Sequence, residues 1–325
     1  MRPSIRVGLP YLPGDEGHPF LNVLREAGLP VLISVGSLYR PEEGFRRLQL
    51  SAWRRDVALD SAGFVAMARF NGYRWTVDDY VDQVVRNFPG DCDDDTEEPH
   101  RSELPHPWTW WSAPDYCCEP EIASDRAEVE RRMEMTAESL SDTLGALASW
   151  RYEGENGTPD PMPILQGRTP EDYQRSVEVI RRVVVEADPC ICHLRPDDCE
   201  ATWHNLRGPP DLPELVGVGS VCRRAVGGPD GLLRVLHALD EALPAHTRVH
   251  LFGVKGEALK KLGALARRVA SVDSMAWDSA ASWEAQKLTR ASGTRVSCSL
   301  AMREEHLRRW IAAQQPEATG QRKLF

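Results

Sequence analysis

The stretch Asp56-Val57-Ala58-Leu59-Asp60-Ser61-Ala62-Gly63-Phe64 decides the reading of the fold. Its apolar run is too short for a helix and suits a strand buried on both faces. The run stops at a carboxylate and passes through small residues, as a strand does when it yields to a turn and a new helix. The same order recurs along the chain. Strands are expected over residues 5–10, 30–35, 56–60, 108–113, 163–166, 215–219, 250–253 and 271–275. Amphipathic helices are expected between them, over 19–27, 77–87, 126–150, 170–186, 229–243 and 256–269. In 126–150, Val129, Met133, Met135, Leu140, Leu144 and Leu147 recur at near-helical spacing among Glu and Arg, so the methionines read as core.

Eight β-then-α units in 325 residues predict a (β/α)8 barrel of the TIM type. A doubly wound open sheet is the alternative, but no Gly-x-Gly-x-x-Gly follows the first strand. The barrel is expected over residues 1–290, with insertions near 87–107 and 188–213, and a C-terminal helix and tail over 291–325. The first insertion carries Asp91, Asp93, Asp94, Asp95, Glu97 and Glu98, whose mutual repulsion calls for solvent.

Composition narrows the class. With 42% hydrophobic and 27% charged residues, a mainly disordered chain is excluded. No run approaches the roughly 18 apolar residues that span a bilayer, so no membrane association is expected. Met1-Arg2-Pro3-Ser4 leads into a strand rather than a signal peptide, and the expected location is the cytoplasm. Eight Cys are too few for a disulfide scaffold. The net charge of −10 argues against indiscriminate coating of nucleic acid and leaves room for a local basic groove.

The chemistry lies at the strand ends. Asp60, Asp115, Gln166, Gly217, Gly219, Gly253 and Asp273 all fall where a barrel strand opens onto the C-terminal mouth, the face on which barrel enzymes place their active sites. Two carboxylates facing one pocket suit displacement at an anomeric carbon, one attacking C1′ while the other moves the proton. Taken alone, Asp60 also reads as an Asx-turn leading into Ser61-Ala62-Gly63. Asp115 and Gln166 offer acceptors and a donor that match the hydrogen-bonding edge of a guanine-like base. Phe64, Tyr116 and Trp277 are candidates to stack on a purine, with ordinary packing as the competing role.

These motifs carry a resemblance. Asp60-Ser61-Ala62-Gly63-Phe64 resembles the Asp-Ser-Gly-Gly-Phe motif of the tRNA-guanine transglycosylase superfamily. Ile164-Leu165-Gln166-Gly167, Val216-Gly217-Val218-Gly219 and Phe252-Gly253-Val254 are similar to its Val-Gln-Gly, Gly-Gly and Met-Gly-Val segments, and Val272-Asp273-Ser274 to its nucleophile strand. Trp111-Ser112-Ala113-Pro114-Asp115, Cys118-Glu119-Pro120, Gly219-Ser220-Val221-Cys222-Arg223-Arg224 and Asp273-Ser274-Met275-Ala276-Trp277 are closer to the branch that modifies DNA, the DpdA-like 7-deazaguanine transglycosylases. The resemblance covers about residues 56–280, in the family order.

It implies a two-step exchange with retention at C1′ and no required cofactor. Asp273 would attack C1′ of a guanine nucleotide, and Asp60 would pass the proton first to the departing guanine and then from the incoming base. Asp115 and Gln166 would hold the base edge. Ser61, Phe64, Gly167, Gly217, Gly219, Phe252 and Gly253 would complete the substrate pocket, and Arg223 and Arg224 would meet phosphates. The implied partners are DNA, or tRNA as the alternative, and a 7-deazaguanine base such as 7-cyano-7-deazaguanine. A protein partner that directs the chain to DNA is a further expectation. A paired base would have to be flipped out of the duplex.

Two departures stand out. Ala62 replaces the second glycine of the family motif. The family's structural zinc site of three Cys and one His after the nucleophile strand is reduced here to Cys298 and His306. A separate cluster, Cys190, Cys192, Cys199 and His204, has spacing compatible with zinc at a position that is not the family's. A catalytically silent nucleic-acid-binding subunit and a hydrolytic N-glycosidase are the competing functions. Retention of both Asp60 and Asp273 speaks against the silent subunit.

Overall fold

The computed structural model describes residues 3–9, 19–46, 56–86, 108–152, 158–186 and 211–314, with the side chains of Leu21, Arg25 and Glu186 left aside. The expected insertion at 87–107 lies outside the described residues, as do Cys190, Cys192, Cys199 and His204. In chain order the elements are β1 (Ser4–Leu9), α1 (Pro19–Ala27), β2 (Val31–Ser34), β3 (Tyr39–Arg40), β4 (Gly44–Phe45), β5 (Val57–Asp60), α2 (Gly63–Phe70), α3 (Val77–Arg86), β6 (Trp108–Trp111) and α4 (Arg126–Tyr152). They continue with β7 (Ile164–Leu165), α5 (Pro170–Glu186), β8 (Leu215–Val218), α6 (Leu232–Ala242), β9 (Arg248–Leu251), α7 (Gly256–Leu259), β10 (Val269–Ser274), α8 (Ala276–Ser292) and α9 (Leu300–Gln314).

Eight strands form one parallel sheet in the order β6-β5-β2-β1-β10-β9-β8-β7. Its two ends meet through a parallel bridge between Ser112 and Met162. There Ala113 N–H donates to Met162 O at 3.0 Å, and Met162 N–H to Trp111 O at 2.7 Å. First and last strands pair as well, so the sheet is the (β/α)8 barrel that the alternation of elements predicts, not an open sheet.

Period-two alternation divides each strand between two environments. Val7, Leu9, Val31, Ile33, Val57 and Leu59 point outward into the layer they share with α1 and α3. Val216, Val218, Val249, Leu251 and Val272 do the same against α5 and α6. The interior is a smaller apolar plug of Leu32, Ala58, Trp110, Met162 and Ile164, against which Leu215 and Phe252 pack. Gly217 makes room for that plug, since a Cβ there would lie 2.4 Å from Ile164 Cδ1 and 2.7 Å from Phe252 Cε2. Arg6 seals the far end, its guanidinium 5.1 Å from the Trp110 ring centre and 2.7 Å from Asp56 Oδ1. Most apolar burial therefore lies in the helical layer, and the upper barrel is free to hold polar groups.

Two details depart from expectation. The helix expected over 256–269 is broken into α7 and a 3-10 turn, Gly263–Arg267, because Gly263 takes φ +54°, outside the right-handed helix. The β3–β4 hairpin has two residues per strand, too few to show alternation in sequence. The C-terminal helix α9 closes the outer layer: Leu307 is buried there, and Trp310 and Ile311 pack against the cluster containing Phe20 and Trp277. Among the described residues, no helix is long and apolar enough to cross a membrane.

Candidate active site

The C-terminal mouth opens into a cavity of about 920 Å3 whose lining includes Asp60, Asp115, Glu119 and Asp273. Asp60 is the last residue of β5, paired in register with Ser34 of β2. Its Oδ2 accepts the Ala62 N–H at 3.1 Å, so the Asx-turn is real and the carboxyl still faces the cavity. The turn puts Ala62 at φ 66°, ψ 26°, a left-handed conformation that costs a side-chain-bearing residue about 1–2 kcal/mol. Burial, helped by the charges of Asp115 and Asp273, raises the Asp60 carboxyl to about 7.

Asp115 is held from behind. Ser61 Oγ donates to its Oδ1 at 2.8 Å, and Gln166 Nε2 donates to its Oδ2. Tyr73 braces the backbone, its hydroxyl accepting the Asp115 N–H at 2.8 Å and lying 2.9 Å from the Asp115 carbonyl oxygen. Burial pushes the Asp115 carboxyl up to about 6 against the lowering effect of the Ser61 hydrogen bond.

Behind this pair, Ser220 adopts φ 55° and accepts the Cys118 N–H at 2.7 Å. Its hydroxyl lies 2.6 Å from Gln166 Oε1 and 2.9 Å from Glu119 Oε2. One hydroxyl proton serves one acceptor at a time. Glu119, which lines the cavity, therefore keeps acceptor capacity for a donor arriving from the cavity side whenever Ser220 serves Gln166.

Asp273 has a different setting. Gly253 N–H donates to its Oδ1 at 2.8 Å, and His250 Nε2 lies 3.3 Å from the same oxygen. His250 Nδ1 is 2.7 Å from Ser271 Oγ, and its ring packs against Trp110 and Phe252 at 4.8 and 4.7 Å between centres. Burial lowers the His250 pKa and keeps the ring neutral. With one ring proton to place, Nε2–H faces the carboxylate, which only accepts, and Nδ1 accepts the Ser271 hydroxyl. Gly253 has φ +67°, and a Cβ there would lie 2.6 Å from Cys222 Cβ, so the loop that delivers its N–H needs glycine on both counts.

Asp60, Phe64, Asp115, Gly219, Phe252, Gly253, Asp273, Arg223 and Arg224 all line the cavity. Ser61 and Gln166 are fully buried behind Asp115 and act through it. Gly219 keeps its α-carbon against Gln166, because a Cβ would meet Nε2 at 2.2 Å. Gly167 and Gly217 serve packing: a Cβ on Gly167 would lie 2.8 Å from Asp172 Cβ, and Gly217 faces the interior plug. Trp277 is core, edge-on to Phe20 and donating Nε1–H to Gly8 O at 3.2 Å. Arg224 spends its donors on the carbonyls of Ser220, Arg168, Asp230 and Gly167. Arg223 pairs with Glu121 and covers the Phe64 ring at 4.9 Å.

Sequence reasoning missed Tyr73, Ser220 and His250. Alternation could have found His250, two residues before Phe252 and so on the same inward face; nothing in sequence points Tyr73 at Asp115. His306 Nε2 pairs with Glu284 Oε2 at 2.7 Å and Cys298 supplies one thiol, a donor set that does not fit a three-Cys, one-His zinc site. The arrangement around the cavity couples a carboxylate fixed by two donors with a carboxyl that keeps its proton near neutrality. That division suits a nucleophile and a proton shuttle.

No curated protein matches the sequence. A family model does, over residues 16–190 and 211–320, and its description is DpdA, DeoxyPurine in DNA protein A. With most of its length inside that match, the chain belongs to the DpdA family.

Proposed function

We propose that this protein exchanges guanine in DNA for a 7-deazaguanine base, such as 7-cyano-7-deazaguanine, through a covalent glycosyl-Asp273 intermediate. The observation that carries the reading is the contrast between Asp273, which accepts from Gly253 N–H and His250, and Asp60, whose carboxyl is raised to about 7. Family membership supports DNA as the substrate and base modification as the outcome.

In the first step a carboxylate oxygen of Asp273 bonds to C1′, the C1′–N9 bond breaks, and the departing guanine takes the Asp60 proton. In the second, N9 of the incoming base bonds to C1′, the Asp273–C1′ ester bond breaks, and the N9 proton passes to Asp60. One glycosidic bond replaces another, so no electron donor or acceptor is consumed. Asp115, backed by Ser61 and Gln166, accepts the N–H groups of the base edge, and Glu119 offers a further acceptor beside it. Two inversions at C1′ give net retention.

The test is nucleoside mass spectrometry after incubating the protein with guanine-containing duplex DNA or tRNA and 7-cyano-7-deazaguanine. A modified deoxynucleoside that disappears with Asp273→Ala is the expected result. A modified ribonucleoside would move the substrate to tRNA. Absence of both from a folded protein would overturn the assignment as a self-sufficient enzyme.

A further inference from the structure

The cavity does not end at the carboxylates. It runs outward along the crease between α7 and α8, where Ala258, Lys261, Ser279, Ala280 and Trp283 line it. Trp283 is 72% exposed, more than any other large apolar side chain among the described residues, and Met275, 42% exposed, lines the same cavity nearer the mouth. An indole left in water costs apolar hydration that a stacked partner would remove. Small side chains in the crease let a flat ring approach that indole.

Charge points to the kind of partner. Five arginines in this part of the chain are already paired: Arg267 and Arg268 with Asp240, Arg303 with Asp278, Arg308 with Glu26 and Glu304, Arg309 with Glu305. Lys255 and Lys261 line the cavity, and neither makes a salt bridge to another described residue. They make the rim of the crease cationic, against Glu257 as the acid lining it, while the floor carries Asp60, Asp115, Glu119 and Asp273. A base belongs on the acidic floor, where its N–H donors are needed, and phosphates belong on the rim.

We infer that the α7–α8 crease is the track for the nucleic-acid strand flanking the extruded nucleotide, with a neighbouring base stacked on Trp283 and phosphates against Lys255 and Lys261. The inference rests on the proposed function for the identity of the strand. It also resolves how a chain of charge −10 engages a polyanion: the attraction is confined to the rim.

The test is fluorescence anisotropy of the full-length protein with a labelled, guanine-containing 12-nucleotide DNA, titrated at several salt concentrations. Trp283→Ala should weaken binding about 10- to 100-fold, the usual size of one base–aromatic stack, and Trp283→Phe should recover most of it. Lys255→Ala/Lys261→Ala should weaken binding and flatten the salt slope by about 1–2. All three changes lie at exposed or cavity-lining positions, and circular dichroism checks that the fold is kept. Equal affinities for wild type and Trp283→Ala, or no DNA binding by wild type, would overturn the inference. Base exchange measured in parallel separates the two claims. Exchange with Trp283-independent binding defeats the track alone, whereas Trp283-dependent binding without exchange defeats the functional reading and leaves the track standing.

Discussion

The two sides of the mouth treat the same functional group in opposite ways. On the β9–β10 side, Asp273 is supplied with a backbone N–H and a neutral imidazole aimed at one oxygen. On the β5–β6 side, Asp60 has the Ala62 N–H and the Ser34 hydroxyl as partners, and burial, helped by the charges of Asp115 and Asp273, outweighs them and raises it to about 7. Identical side chains thus acquire different chemistry from what the backbone places around them. On the proposed function, Asp273 would make the attack and the buried Asp60 carboxyl would hold the proton near neutrality.

Breaking the contrast should have its largest effect on the fixed side. Asp273→Ala should reduce base exchange by about 10³-fold or more, since no other group replaces the attacking oxygen. On the crowded side, Asp60→Asn should cost about 10²–10⁴-fold in exchange, the usual range for losing a positioned proton donor. The same variant should be more stable than wild type at pH 8. The sign follows from the raised pKa. Below about pH 4 folded and unfolded chains both carry the proton. Between 4 and 7 only the folded chain keeps it, so stability falls as pH rises and then levels off above 7. The shift sets an upper limit of about 4 kcal/mol, reduced by the partial solvent access of Asp60, and denaturant titrations at pH 5 and pH 8 measure it. In kinetics, release of guanine in a single turnover should decline above about pH 7 in wild type.

Smaller changes sharpen the picture. Gln166→Ala removes one of the two side-chain donors behind Asp115 and should raise KM for the incoming base about 10-fold, with a lesser effect on kcat. Smallest is Ala62→Gly, which relieves the left-handed strain at φ 66° and should add up to about 1 kcal/mol of stability by denaturant titration. A destabilised Ala62→Gly would mean that the methyl group, 3.2 Å from where a Cβ on Gly36 would lie, packs more than it strains.

The barrel was legible because its cause is local. Eight short apolar runs, six of them ending at a carboxylate, amide or glycine and six followed by helical periodicity, are visible in the chain without knowing what they touch. Asp60, Asp115 and Asp273 were legible for the same reason, as strand ends on one face. What escaped depends on distant partners. Tyr73 reaches Asp115 across 42 residues, and Ser220 joins Cys118 across 102. The burial of Gln166 behind Asp115 was hidden too, because sequence places a side chain at the mouth without saying whether it faces the cavity or a neighbour. The crease lysines could not be told from the paired arginines, since composition counts charges but not their partners. The left-handed Gly263, which opens the 3-10 turn after α7, is the exception: a glycine in a helical pattern is a signal that periodicity overrode.

The proposed function stands or falls on a covalent bond between Asp273 and C1′. The most direct measurement is intact-protein mass spectrometry after incubation with a short guanine-containing DNA, without an incoming base, followed by acid quench. The expected result is a protein–DNA adduct with loss of one guanine, mapped to the peptide bearing Asp273 and absent from Asp273→Ala. An adduct that persists in Asp273→Ala, or that maps to Asp60, would contradict it.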